Sequence, residues 1–109
     1  MTTVIDPMSF TISGLYAITP DEMDTAKLVA CVEAAIGGGA RIVQYRNKLA
    51  DRALRQAQAQ ALLTLCRRHH VPLIVNDDVE LACAIDADGV HLGASDGELA
   101  QAQIGRAHV

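Results

Sequence analysis

Aromatic residues are nearly missing from this sequence: two Tyr, one Phe and no Trp in 109 residues. A chain that is half hydrophobic yet so poor in rings must build its core from Ala, Val, Leu and Ile. Such side chains suit helices packed on a parallel sheet. Clustered charge is lacking as well. Nine Lys and Arg are interspersed with thirteen Asp and Glu, for a net charge of −4. With no basic run, no arginine stripe and no aromatic interleaving, nucleic acid is not an expected partner. No apolar stretch approaches the ~20 residues that a membrane span needs, so no membrane is expected either. Residues 1–13 contain neither Lys nor Arg and no continuous apolar run, which excludes a signal peptide. They read as a short disordered leader, and the protein as soluble and cytoplasmic. Three cysteines, an odd number without CxxC spacing, argue against a metal or redox pair. Cys31, Cys66 and Cys83 read instead as small buried hydrophobes in a reducing compartment.

What is present is a repeated strand–helix pattern. Leu15–Thr19 is a short apolar run closed by Pro20 and Asp21, a strand and a turn. Asp24 opens a helix in which Leu28, Val32, Ala35 and Ile36 recur on one face, and Gly37–Gly39 stop it. Ile42–Tyr45 is a second strand. Asp51 caps a long helix with Leu54, Ala57, Ala61 and Leu65 as its expected stripe; Arg67, Arg68, His69 and His70 suit its carboxyl end. Leu73–Val75 is a third strand, followed by a short helix burying Val79, Leu81, Ala82 and Ile85. Gly89–His91 is a fourth strand, and Asp96 is expected to begin a fourth helix. The order βαβαβαβα implies an α/β fold with a parallel sheet and helices outside it. Four units make either a small open sheet or half of a (β/α)8 barrel, since a complete barrel takes ~200 residues or more.

Ligands of parallel βα folds gather at the carboxyl ends of the strands. The second strand ends in Gln44-Tyr45-Arg46-Asn47-Lys48, and alternation sends Gln44, Arg46 and Lys48 the same way. Two cations on an inner face call for an anion, and phosphate or pyrophosphate answers that need. The plainer alternative is that both reach solvent and are held by surface ion pairs. The third strand ends in Asn76-Asp77-Asp78 and the fourth in His91, with Asp96 close behind. Asp77 and Asp96 thus become two carboxylates facing a phosphate-ready pocket, a donor set suited to Mg²⁺ completed by phosphate oxygens. Helix capping is the competing role, and for Asp78 the better one.

In this order and at roughly these intervals, GLYAIT, QYRNK, LIVNDD and ADGVHLGASD resemble the thiamine phosphate synthase family. The resemblance covers Gly14 to about Gln103. It implies a (β/α)8 (TIM) barrel of which this chain holds the first four βα units, a half barrel. It also implies a transferase of thiamine biosynthesis that couples hydroxymethylpyrimidine pyrophosphate to a thiazole phosphate and releases pyrophosphate. On that resemblance Arg46, Lys48 and Asn76 hold the pyrophosphate and act in catalysis. Asp77 and Asp96 bind Mg²⁺, and Gln44 meets the aminopyrimidine ring with Tyr16 and His91 lining the same pocket. The implied chemistry is dissociative: pyrophosphate departs, the exocyclic carbon becomes cationic and the thiazole nitrogen attacks it. Two positions depart from the family pattern. Ala94 stands where many members carry Gln, and Asn47 replaces a frequent acid.

Gly37–Gly39 precedes a strand, so it sits at the face opposite the ligand end and reads as helix termination. Adjacent His69 and His70 point in different directions on a helix and read as a solvated end. The resemblance also implies a second half with a serine loop, a lysine and a glycine-rich turn, which do not follow Asp96. Ile104–Val109 matches a reading frame of a sequencing adapter and is expected to be a non-native tail after residues 14–103. As written, the chain is expected to be inactive and to self-associate through two exposed strand edges and an inner face meant for the missing strands. The alternatives are a thiazole tautomerase of the same superfamily and a non-catalytic half-barrel binding module.

Overall fold

The computed structural model describes residues 11–13, 16–93 and 99–102. In chain order the elements are β1 (Thr11–Ser13), β2 (Tyr16–Ile18), α1 (Thr25–Gly37), β3 (Ile42–Tyr45), α2 (Arg52–Arg68), β4 (Leu73–Asn76), α3 (Val79–Ile85), β5 (Gly89–Gly93) and β6 (Leu99–Ala102). They form one six-stranded sheet in which spatial order equals sequence order. Strands β2 to β5 are parallel, while β1 and β6 run antiparallel along the two edges. Because the order never reverses among the described strands, they form no crevice of the doubly wound kind at a switch point.

Each helix begins where a carboxylate satisfies a free N–H. Asp24 accepts from Lys27 N at 3.2 Å, Asp51 from Leu54 N at 2.8 Å and Asp78 from Leu81 N at 2.9 Å. Such caps contribute about 1 kcal/mol each. The endings are equally local. The Gly38 N–H reaches back to the Ala34 and Ala35 carbonyls, and Gly39 takes φ +114, a backbone state open to glycine at little cost. Cations Arg67 and Arg68 close α2.

Strand alternation divides the sheet into two unlike faces. Ala17, Val43, Tyr45, Leu73, Val75 and Val90 join Leu28, Val32, Leu62, Cys66 and Leu81 in one apolar core between sheet and helices. Helix α2 packs against both α1 and α3. Each buried Leu or Val there contributes roughly 1.5–3 kcal/mol of transfer free energy. The opposite face carries Tyr16, Gln44, Ile74 and His91, which lie outside that core.

Several expectations need correcting. The last three residues of the expected leader form β1, because they pair with the edge of β2; residues 1–10 lie outside the described ones. In place of a fourth helix, Leu99–Ala102 is the strand β6, paired with β5. Satisfying the open N–H and C=O groups along β5 outweighs the weak helical preference of so short a segment. The expected start of that helix at Asp96, Ala94 and the tail at 104–109 lie outside the described residues. On α2 the stripe runs through Gln58, Ala59, Leu62, Leu63, Leu65 and Cys66, and Ala57 is exposed. Alternating Gln and Ala leave the helical phase undetermined, and the leucines downstream set it. Val79 is 45 % exposed, at the outer side of the first turn of α3. Cys83 is exposed too, whereas Cys31 and Cys66 are buried. Among the described residues no helix is long and apolar enough to cross a membrane.

Candidate active site

The segment after β3 is held in place before any side chain in it can act. Thr19 clamps Arg46 from both sides: its hydroxyl accepts from Arg46 N at 2.9 Å and donates to Arg46 O at 3.0 Å. The next residue, Asn47, is buried. Its Oδ1 accepts from Leu49 N and Ala50 N, closing a tight turn; its Nδ2 donates to Glu22 O and to Gln58 Oε1, both at 2.9 Å. Lys48 N donates to Asp21 Oδ1 at 2.9 Å. Behind this turn the Tyr45 hydroxyl donates to Gln58 Oε1 at 2.8 Å, and Gln58 Nε2 donates to Glu22 O. Burial pushes the Tyr45 hydroxyl up to about 12, against the opposing positive charge of Arg55.

Fixed in this way, Arg46 and Lys48 line a cleft of about 200 Å3 together with Asn76, Asp77, Asp78 and Arg55. Among the described residues neither the Arg46 guanidinium nor the Lys48 ammonium has an ion-pair partner. The surface ion pairs that would make these cations merely structural are therefore missing from this part of the chain. Asp77 adopts φ +52, a left-handed turn, and its N–H donates to His91 O at 2.7 Å. That turn leaves its side chain exposed at the cleft, whereas Asp78, also at the cleft wall, engages its Oδ1 in capping α3.

The remaining predicted residues form a second group. Gln44 is 2 % exposed. Its Nε2 donates to Tyr16 Oη at 2.6 Å, and its Oε1 lies 3.3 Å from His91 Nδ1. One amide thus joins β2, β3 and β5 in a polar row on the face away from the helices. Asn76 lies beside His91 in the register of β4 and β5, so the row and the cleft adjoin there. Gln44, Tyr16 and His91 do not line the cleft itself. The sequence placed Gln44, Arg46 and Lys48 on one continuous strand face; β3 ends at Tyr45, and the chain turns before Arg46 and Lys48 extend.

Magnesium accepts one or two protein carboxylates and fills its shell with water and phosphate oxygens. Asp77 has the chemistry of such a donor, and Asp96 lies outside the described residues. Among the described residues no cluster of three or more His, Cys, Asp or Glu is close enough to hold a metal.

Four residues that shape the site escaped the sequence reading: Thr19, Asn47 as a buried organiser, Arg55 and Gln58. A signal existed for the last two. Had Leu62 and Cys66 set the helical phase, stepping back three and four residues would have put Gln58 and Arg55 on the inner face.

Against known proteins, residues 15–108 match the family model described as thiamine monophosphate synthase. Three similar curated relatives are each named thiamine-phosphate synthase. That of Methylobacillus flagellatus is 60 % identical over 92 residues, covering 84 % of this chain and 44 % of the relative. That of Nitrosospira multiformis is 52 % identical over 97 residues, covering 89 % and 42 %. That of Chromobacterium violaceum is 55 % identical over 92 residues, covering 84 % and 44 %. The chain spans less than half the length of these relatives.

Proposed function

The chain belongs to the thiamine monophosphate synthase family, and from that membership we propose that it is the amino-terminal half of a (β/α)8 barrel synthase. The whole protein would couple hydroxymethylpyrimidine pyrophosphate to thiazole phosphate, giving thiamine phosphate and pyrophosphate. The observation that carries this reading is the cleft holding two cations, Arg46 and Lys48, that have no ion-pair partner among the described residues, beside Asn76 and the exposed Asp77.

In this reading Arg46 grips pyrophosphate oxygens with its planar fork, Lys48 adds a point charge and Asn76 donates an amide N–H. Asp77, with Asp96, would hold Mg²⁺, which when bound would stabilise negative charge on the departing pyrophosphate. Gln44 would read the aminopyrimidine ring from the polar row that Tyr16 and His91 complete. Preorganisation supports this assignment: Thr19, Asn47 and Asp21 fix the Arg46–Lys48 backbone before a ligand arrives, so little ordering is left for the reaction to provide.

Turnover is proposed for the whole protein, and this chain is expected to self-associate through its strand edges and the sheet face opposite the helices. The free thiols of Cys31, Cys66 and Cys83 support a reducing, cytoplasmic setting. Titration of the chain with inorganic pyrophosphate, with and without Mg²⁺, tests the site. Binding should strengthen with Mg²⁺, weaken by about tenfold or more in Arg46→Gln, and lose its Mg²⁺ dependence in Asp77→Asn. Binding that is indifferent to Arg46 and Lys48 would sink the reading.

A further inference from the structure

The geometry assigns to Arg55 the part of a third cationic contact for a diphosphate group in the cleft. This rests on the anion-binding reading above and adds a residue from the opposite wall. Arg55 sits in the first turn of α2, on the side that faces the ends of β3 and β4, and lines the cleft with Arg46 and Lys48. Its side chain is 39 % exposed, yet Nε is buried and has no hydrogen-bond partner among the described residues. A buried donor without an acceptor costs free energy that the fold recovers only if something supplies one.

Asp78 does not supply it. The Arg55 Nη1 lies 3.7 Å from Asp78 Oδ2, beyond hydrogen-bonding distance, while Asp78 Oδ1 is engaged by Leu81 N at 2.9 Å. Asp78 therefore keeps the guanidinium near the cleft by charge without giving Nε an acceptor. Arg55 also decides the charge balance. The lining holds three cations, Arg46, Lys48 and Arg55, against the carboxylates of Asp77 and Asp78. With Arg55 the cleft is cationic by one charge; without it the charges cancel. A highly charged diphosphate thus gains more from Arg55 than a single phosphate does.

Calorimetric titration of the full chain with inorganic pyrophosphate and, separately, with inorganic phosphate tests this, using Arg55→Gln, Arg55→Lys and Arg46→Gln. Arg55→Gln should weaken pyrophosphate binding by about tenfold or more, weaken phosphate binding less, and be partly rescued by Arg55→Lys. Pyrophosphate should also slow phenylglyoxal modification of Arg55 in the unmutated chain, mapped by mass spectrometry, so the result does not depend on a variant that folds. If Arg46→Gln abolishes binding while Arg55→Gln binds normally and Arg55 stays unprotected, the Arg55 assignment is overturned and the anion site stands. If the unmutated chain binds no pyrophosphate, both fall.

Discussion

Replacing Gln58 by Leu removes a polar hub without much change of volume, and the structure sets the expected cost. Gln58 is fully buried. Its Oε1 accepts from Tyr45 Oη and Asn47 Nδ2, and its Nε2 donates to Glu22 O. After the change Asn47 Nδ2 still has Glu22 O, and Glu22 O still has Asn47. The Tyr45 hydroxyl, on a residue 1 % exposed, keeps Asn47 as a neighbour but its proton loses its acceptor. A stranded donor costs about 1–3 kcal/mol, and the lost hydrogen bonds add about 1 kcal/mol each before the gain from burying Leu is subtracted. A net loss of about 2 kcal/mol is expected for Gln58→Leu, and about 1 kcal/mol for Tyr45→Phe. The double variant should cost less than the two singles together, because Phe has no hydroxyl to strand. Urea unfolding followed by circular dichroism at 222 nm measures all three. A Gln58→Leu chain as stable as the parent, or strictly additive costs, would refute the idea that this hub is a closed hydrogen-bond network.

Alkaline stability follows from two buried acids. Tyr45 rises from 10.0 to about 12 and Cys66 from 9.0 to about 12, each mainly by burial. Both bind their protons more tightly folded than unfolded, so their contribution is intact below the unfolded values and is lost as pH climbs from about 9 toward 12. Urea midpoints measured from pH 8 to 11 should fall, and Tyr45→Phe should fall less; a flat profile would contradict the burial assigned here. The three thiols should separate in a native Ellman titration. Cys83 is exposed and should react at once, whereas Cys31 and Cys66 should wait for unfolding; three fast thiols would show that the helix–sheet core is open.

Secondary structure was legible wherever a local chemical signal marks a boundary. Asp24, Asp51 and Asp78 announce their helices, Gly37–Gly39 and Pro72 end them, and the apolar runs at Ile42 and Leu73 can only be strands in such a pattern. Legibility failed where the outcome depends on distant partners. The phase of α2 is set by leucines late in the helix, and Gln58 is recognisable as buried only once that phase is taken from them. The segment 99–102 turns strand because β5 offers an open edge, which is a property of the sheet and not of Leu-Ala-Gln-Ala. For the site, residue types at strand ends pointed to Arg46, Lys48, Asn76 and Asp77. Their separation from the row of Tyr16, Gln44 and His91 depends on where β3 stops, and one-residue boundaries lie beyond pattern reading.

Asn47 shows how a departure from the family pattern can be settled by hydrogen-bond accounting. The sequence resemblance places a frequent acid at this position, beside the residues expected to hold pyrophosphate. The structure gives Asn47 a task that needs both donors and acceptors. Its Oδ1 receives two backbone N–H groups while its Nδ2 gives to Glu22 O and Gln58 Oε1. An ionised acid could keep the first pair, since a carboxylate accepts readily. It could not make the second, because its other oxygen would meet two acceptors in a buried space. Rotating the Gln58 amide would offer a donor in place of Oε1, but Gln58 would then present its oxygen to Glu22 O and lose that bond. Asn47 and Gln58 therefore form a matched pair in this chain, and the substitution belongs to the scaffold that aims Arg46 and Lys48. Arg46, Lys48, Asn76 and Asp77, the residues proposed to meet a ligand, are untouched by it, so a change this close to the cleft is compatible with the proposed function.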